Sequence, residues 1–230
     1  MKSELLIVIP AYNEEENIEN VVTFIQSKYN QYDYVVVNDG SRDRTADICR
    51  QNGYELLNLP VNLGLAGAFQ AGLKYAYVKG YSYAIQFDAD GQHRPEFIEP
   101  MLERIKQGYD IVIGSRFVNI KKGNSLRMVG SKMITVAIKM TTGARVSDPT
   151  SGMRMFSREM IKEFAQNLNY GPEPDTVSYL LKNGAKVSEV PVHMEERQAG
   201  ESYLNLVNSC KYMAKMLISI LFVQNFRKRG

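Results

Sequence analysis

The stretch Tyr83-Ala-Ile-Gln-Phe-Asp88-Ala-Asp90-Gly-Gln92-His-Arg-Pro95 decides how the rest of the chain is read. Its first part, Tyr83 to Phe87, is a short, largely apolar run with the length and composition of a buried strand. Two carboxylates and a carboxamide follow at its C-terminal end. On an extended backbone, period-two geometry points Asp88, Asp90 and Gln92 to one side. Three hard oxygen donors there suit Mg²⁺ or Mn²⁺, with substrate phosphates and water completing the shell. Gly91 lets the chain turn, and Pro95 fits the first turn of a following helix. Taken alone, Asp-x-Asp reads more readily as an acidic loop that ends a strand, so the flanking sequence has to decide.

Upstream, the same strand-then-polar pattern recurs. Leu5 to Ile9 reads as a strand, Pro10-Ala-Tyr-Asn13 as the turn that leaves it, and Glu14 to Ser27 as a helix with acidic residues in its first turn. Tyr34 to Val37 is a second strand, ending in Asn38-Asp39-Gly-Ser-Arg-Asp-Arg-Thr45, with a helix to about Asn52. Glu55 to Leu59 is a third strand, and Asn62-Leu-Gly-Leu-Ala-Gly-Ala-Phe69 opens a helix to about Val78. Beyond the quoted stretch come a helix from Pro95 to Lys106 and a strand from Asp110 to Ile113 that ends in Gly114-Ser-Arg116-Phe117. Alternation of this kind predicts an α/β fold with a doubly wound, mostly parallel sheet flanked by helices. Such sheets bind ligands beyond the carboxyl ends of their strands. Four polar clusters fall at those ends: Tyr12/Glu14, Asp39, Asp88/Asp90 and Arg116. Each has a plainer reading, such as a turn for Asn38-Asp39-Gly40 or a helix cap for Asn13-Glu14. Together, on one edge of one sheet, they make one site.

The second half is patterned differently. Ser125 to Met140 has helical periodicity, with Arg127, Ser131, Thr135 and Lys139 on one stripe and apolar residues over the other faces. Asp148-Pro-Thr-Ser151-Gly-Met-Arg154 is a polar loop before a short element. Glu173 to Leu181 reads as a helix, and Lys186 to His193 as an edge strand because of its proline. A long helix then runs from about Tyr203 to Phe226, with Asn208, Lys211, Lys215 and Ser219 as a narrow polar stripe. After Glu201 there is no acidic residue, and the chain ends Arg227-Lys-Arg229. A basic, apolar helix of this kind suits an interface with anionic lipid; a core or dimer helix is the other reading. The expected division is a catalytic domain over residues 1–202 and a C-terminal amphipathic helix over 203–230.

Composition bounds these readings. At 230 residues the chain supports one substantial core, and 44% hydrophobic with 23% charged residues is ordinary for a globular protein. A net charge of +3 gives no ground for a nucleic-acid partner. Cys49 and Cys210 show no metal-ligand spacing, so reduced thiols in a cytosolic compartment are the simpler expectation. Leu5 to Ile9 is too short for a signal segment, and no apolar run reaches the roughly 20 residues of a spanning helix.

At this point the motifs resemble a known family. Ile7-Val-Ile-Pro-Ala-Tyr-Asn-Glu-Glu-Glu-Asn17, Val37-Asn-Asp-Gly-Ser41, Asn62-Leu-Gly64, Phe87-Asp-Ala-Asp-Gly-Gln92 and Gly114-Ser-Arg-Phe117 look like family 2 inverting glycosyltransferases of the GT-A fold. Arg127-x-x-x-Ser131, Asp148-Pro-Thr-Ser-Gly-Met-Arg154, Glu189-Val-Pro-Val and Arg197-x-x-Gly200-x-Ser202 resemble the polyprenyl-phosphate sugar transferases, the dolichyl-phosphate mannose synthase type. The resemblance implies that Pro10, Tyr12, Glu14, Asp88, Ala89 and Asp90 border the nucleotide sugar and that Asp39 contacts the base. It implies that Asp88, Asp90 and Gln92 hold Mg²⁺ or Mn²⁺ on the diphosphate. Arg116, Arg127, Ser131 and Arg197 would hold the acceptor phosphate and, with Asp90, carry the transfer. Two departures stand out. Tyr203 occupies a position where relatives often have lysine, and many bacterial relatives continue into transmembrane helices where this chain stops at Gly230. The resemblance is closest to short bacterial members of cell-wall polysaccharide assembly, expected to need an amphipathic anchor, a small membrane protein or a second copy.

The chemistry of the residues agrees. A phosphate monoester, with a second pKa of about 6, is mostly dianionic at pH 7 and is already a nucleophile. It needs positioning, which arginines supply bidentately. The expected reaction is metal-dependent, inverting transfer from UDP-glucose or UDP-N-acetylglucosamine to undecaprenyl phosphate, by a peripheral enzyme on the cytoplasmic face of the membrane. Two alternatives remain: transfer to a saccharide hydroxyl with Asp148 as base, and a nucleotide-sugar-binding subunit without catalysis.

Overall fold

Leu5–Ala11 (β1) is buried along its whole length, as an unbroken apolar run is when both faces of a sheet are covered. The computed structural model describes residues 3–89, 92–120, 122–123, 125–167, 171–193 and 206–225, except the side chains of Arg127, Leu206, Val207 and Asn225. On either side of β1 lie Asp33–Asn38 (β2) and Tyr83–Gln86 (β4), both parallel to it, with Ala11 opposite Asn38 and Val8 opposite Gln86. Leu56–Asn58 (β3) extends the sheet beyond β2. Ile111–Ser115 (β5) and Val187–Pro191 (β7) form a second parallel pair. Arg154–Ser157 (β6) joins the two groups, antiparallel to β4 and to β5. The seven-stranded order is β3-β2-β1-β4-β6-β5-β7.

The helices are Ile18–Lys28 (α1), Thr45–Gln51 (α2), Gly64–Lys79 (α3), Ile98–Ile105 (α4), Leu126–Thr142 (α5), Arg158–Gln166 (α6), Pro174–Lys182 (α7) and Leu206–Leu221 (α8). Alternate residues of β1 feed two cores, as the pleat requires. Leu6 and Val8 pack with Phe69, Leu73, Phe156 and Ile134 on one face. Leu5, Ile7 and Ile9 pack with Ile18, Ile25, Ile98 and Met101 on the other. Each such fully buried side chain contributes about 1.5–3 kcal/mol. The helix α8 belongs to the first core through Met216 and Ile220, and Ser219 donates to Asp175 of α7 at 2.6 Å.

Several expectations are corrected. The helix α1 starts at Ile18 rather than Glu14, because residues 14–17 form a turn in which the Glu14 carbonyl accepts from Asn17 and Ile18. The element after the Asp148 loop is an antiparallel strand, followed by a helix that the sequence pattern did not reveal. All four residues of β6 are buried, so no alternation marks it, and Arg154 disguises it as polar. That guanidinium is enclosed by backbone carbonyls of Ser151, Pro149 and Pro172. Along the stripe shared by Ser131, Thr135 and Lys139 the burial varies, which spacing alone does not give: Ser131 is buried and Thr135 half-buried, while Lys139 is exposed. Pro191 ends β7 on the outer edge of the sheet, where a missing N–H costs no ladder bond.

Candidate active site

Because β1, β2, β4 and β5 are parallel, the four polar clusters lie on one edge. The strand β6 runs the other way, so the loop that enters it, residues 148–153, reaches the same edge. From the end of β2 to the end of β5 there are four strand spacings, about 20 Å. That span accommodates a nucleotide at one end and a second substrate at the other.

At the β2 end, two loops are stitched together. Asn13 has φ +55°, a left-handed conformation that asparagine tolerates. Its N–H donates to Ser41 Oγ at 3.0 Å and its Oδ1 accepts from Arg42 N–H at 2.9 Å. The Glu14 N–H donates to Thr45 Oγ1 at 2.9 Å, and its carboxylate accepts from Asn17 Nδ2 at 2.7 Å. Pro10 lies inside β1, whereas Tyr12 stands exposed beyond it. Asp39 is buried, and its Oδ1 accepts from Leu63 N–H at 2.7 Å. Burial pushes its carboxyl pKa above the ordinary value, opposed by the backbone N–H groups of Leu63 and Gly64. Gly40 makes this contact available. It has φ +67°, and a Cβ there would stand 2.8 Å from backbone atoms of Val61 and Asn62.

At the β4 end, regular pairing stops at Gln86 and the chain turns at Ala89. The period-two argument therefore does not reach Asp88, and other contacts fix it. The Asp88 N–H donates to His93 Nδ1 at 2.9 Å, and Gln86 Nε2 donates to Asp88 Oδ1 at 3.0 Å. With Nδ1 an acceptor, the neutral imidazole carries its proton on Nε2, which lies 3.4 Å from Asp88 Oδ2. His93 is buried and meets Phe87 edge-on. A Cβ on Gly152 would stand 3.0 Å from Asp88 Oδ2, so the loop entering β6 backs the carboxylate. Asp88 and Gln92 are hard oxygen donors that keep partial exposure, a donor set that fits Mg²⁺ or Mn²⁺. Asp90, the other expected ligand, lies outside the described residues.

At the β5 end, Arg116 is held by Asp148. Nε lies 2.7 Å from Oδ2 and Nη2 lies 2.9 Å from Oδ1, and the Arg116 N–H also reaches Oδ2. The Asp148 side chain is fully buried, while that of Arg116 is 31% exposed. Among the described residues neither Nη1 proton has an acceptor, which leaves both for an anion. Glu189 fixes the loop by accepting from the N–H groups of Ser147 and Asp148 at 2.7 and 2.8 Å. Ser131 receives Lys122 Nζ at 2.7 Å, and Thr135 Oγ1 receives it at 3.0 Å. Burial lowers the Lys122 pKa to about 8, with Arg116 adding to the fall and Asp148 opposing it. Arg197 and the side chain of Arg127 lie outside the described residues. Sequence reasoning missed His93 and Lys122. The first sits inside the motif that was read; the second follows Phe117 in an irregular loop, where no spacing foretells which hydroxyls it meets.

Together, the sheet order and a polar edge with nucleotide-sized reach define a GT-A glycosyltransferase. The family model for glycosyl transferase family 2 matches residues 6–164, and the chain belongs to that family. The chain is 30% identical over 224 residues to the polyprenol monophosphomannose synthase of Mycolicibacterium smegmatis, covering 92% of this chain and 84% of that one. It is 31% identical over 212 residues to the UDP-N-acetylglucosamine–dolichyl-phosphate N-acetylglucosaminyltransferase of Methanococcus voltae, covering 82% and 84%. The fold is shared with glucosyl-3-phosphoglycerate synthase from Mycobacterium tuberculosis, solved with Mn²⁺, UDP and phosphoglyceric acid. There the TM-score is 0.71 at 18% identity, over 97% of this chain and 78% of that one.

Proposed function

We propose that the protein transfers a sugar from UDP-glucose or UDP-N-acetylglucosamine to undecaprenyl phosphate, with inversion, at the cytoplasmic face of the membrane. The observation that carries this is the state of Asp148. A hydroxyl acceptor needs a carboxylate to take its proton, and the carboxylate at the acceptor end is fully buried with both oxygens on Arg116. A phosphate acceptor needs no base. Its oxygen forms the new bond to the anomeric carbon, the bond from that carbon to the diphosphate oxygen breaks, and the electron pair leaves with the nucleotide. Relatives named as a polyprenol monophosphomannose synthase and a dolichyl-phosphate N-acetylglucosaminyltransferase support the same acceptor class.

In this reading Asp39 and Tyr12 hold the base end, and Asp88 and Gln92, with Asp90, hold Mg²⁺ or Mn²⁺. The ion supplies Lewis-acid compensation for charge on the departing diphosphate. Arg116, Ser131, Arg127 and Arg197 orient the acceptor phosphate. The helices α5 and α8 pack on each other and form the lipid-facing side. No described helix is long and apolar enough to cross a membrane. Leu126, Met133, Val136, Met140, Ile218 and Phe222 are nonetheless exposed, among exposed Lys132, Lys139, Lys211 and Lys215. Apolar side chains set among lysines complement an anionic bilayer surface.

The test is to incubate the protein with undecaprenyl phosphate in anionic vesicles and a panel of labelled UDP- and GDP-sugars, then extract lipid. EDTA-sensitive label in the lipid phase from one UDP-sugar is the expected result. Label confined to water-soluble saccharide would overturn the acceptor assignment.

A further inference from the structure

We propose that Lys122 is the residue on which the acceptor's terminal phosphate docks, with the Ser131 hydroxyl as its second donor. This rests on the reading of the acceptor as a phosphate monoester. In the structure the lysine ammonium is half-buried between the loop after β5 and α5, against two neutral hydroxyls. No carboxylate of the described residues lies within ion-pair reach of it. The two whose charge influences it, Asp148 and Glu189, are occupied by Arg116 and by two backbone N–H groups. A partly desolvated cation without a counter-ion is costly, and a site that keeps one is suited to an anion from outside.

Proton accounting favours the same conclusion. Lys122 has three N–H donors; two go to Ser131 Oγ and Thr135 Oγ1, and the third side of the ammonium lies toward the Phe117 ring, 5.4 Å from its centroid. The Thr135 hydroxyl donates to the Ser131 carbonyl at 3.1 Å, and the Thr150 hydroxyl to Asp148 Oδ1 at 3.2 Å. Ser131 therefore accepts from the lysine, and among the described residues its own proton has the long 3.4 Å contact to Thr150 Oγ1 as its acceptor. A phosphate oxygen arriving here takes the Ser131 proton and draws one lysine N–H away from a neutral hydroxyl or from the ring, an exchange of a neutral partner for a charged one, close to Arg116. A pin between loop and helix would need neither the charge nor a hydroxyl proton left on so long a contact.

The charged groups facing the lysine are Asp148 and Arg116 from the flanking loops, Glu189 from β7 and Lys132 from α5. A bound dianion favours the ammonium, so acceptor capture by the free enzyme should weaken as pH rises through about 8. The experiment compares wild type, Lys122→Met and Lys122→Arg with undecaprenyl phosphate in detergent, reading acceptor KM, kcat and the pH profile, with UDP affinity by calorimetry. Lys122→Met should raise acceptor KM about ten- to a hundredfold, the loss of one hydrogen bond to a charged group. Its profile should lose the upper limb near pH 8, and UDP affinity should be unchanged. Lys122→Arg should keep KM within a few-fold of wild type and move that limb upward. Unchanged KM and limb in Lys122→Met would overturn the proposal, as would equal KM losses in both variants with a parallel drop in Tm, which marks a structural pin. A wild type that makes no lipid-linked product overturns instead the acceptor reading on which the proposal rests.

Discussion

Arg116 and Asp148 face each other across the loops that leave β5 and enter β6, in a two-point ion pair with contacts of 2.7 and 2.9 Å. The pair exists because β6 is antiparallel, which carries its entry loop to the edge where the parallel strands end. A bidentate carboxylate fixes the plane of the guanidinium, and so aims the Nη1 protons rather than consuming them. Asp148 is thereby a positioning residue for Arg116.

The variant Asp148→Ala should lose stability, because removing one partner leaves a partly buried charge without its counter-ion, a cost of about 3 kcal/mol in comparable pairs. Denaturant melts should show the loss, and acceptor KM should rise with it. If Asp148→Asn instead keeps wild-type stability while transfer to a saccharide hydroxyl disappears, Asp148 acts as a base and the phosphate acceptor is wrong.

His93 ties down Asp88 from two sides, through the Asp88 N–H and through Oδ2. Replacing it with phenylalanine keeps an aromatic ring against Phe87 and removes both contacts. Outer-shell partners of this kind typically change metal affinity or activity by about 10–100-fold. A Mn²⁺ titration of His93→Phe in the presence of UDP should show a weakening of that order, with a modest fall in melting temperature because the Asp88 N–H loses its acceptor. Equal Mn²⁺ affinities in variant and wild type would remove His93 from the site.

Asp39 combines burial with a backbone hydrogen bond. Asparagine keeps an acceptor for the Leu63 N–H and drops the charge. The folded-state pKa of Asp39 is raised by desolvation, so the native state binds the proton more tightly than the unfolded chain. Its contribution is favourable at low pH and is lost as pH rises through the folded pKa. Asp39→Asn should therefore match wild type in acid and gain in relative stability as pH rises toward neutrality. UDP affinity at pH 7 should fall, about tenfold or more if a charged contact to the base is lost. A variant that melts lower than wild type at pH 7 contradicts the desolvation argument; one with undiminished UDP affinity removes Asp39 from the base.

How far the sequence carried is clearest at particular residues. The strand ends at Ala11, Asn38, Gln86 and Ser115 were readable within two residues because their apolar runs stop at Gly, Pro, Asn or Asp. The shared edge followed from strand–helix alternation alone. The strand β6 was not readable: four buried residues give no period, and Arg154 is hidden by carbonyls that only the folded chain supplies. The pairing of Arg116 with Asp148, 32 residues apart, and of Lys122 with α5 depends on tertiary approach, which no local pattern encodes. Ser131 and Thr135 were read only as sharing a stripe with Lys139, because helical spacing says which residues share a face, not what covers that face.

The outer face of α5 and α8 yields the last prediction. Met140 is 76% exposed and Phe222 is 62% exposed, while Met216 and Ile220 on the other side of α8 are buried in the core. Deleting α8 would remove core contacts, so point changes on the outer face make the cleaner test. Met133→Asp with Met140→Asp alters two exposed positions, where substitutions usually change stability by no more than about 0.5 kcal/mol. It also places acid beside Lys132 and Lys139, which should offset an attraction of about 1 kcal/mol per lysine at an anionic surface. The double variant should keep its melting temperature and UDP affinity yet no longer sediment with anionic liposomes. Wild-type binding should weaken with added salt, because Debye screening shortens the reach of the lysines. Activity on undecaprenyl phosphate in vesicles should drop well below that on a short, soluble prenyl phosphate, which needs no bilayer contact. Unchanged liposome binding would assign membrane attachment to another part of the chain; wild-type binding that ignores both salt and lipid charge would assign this face to a protein partner instead.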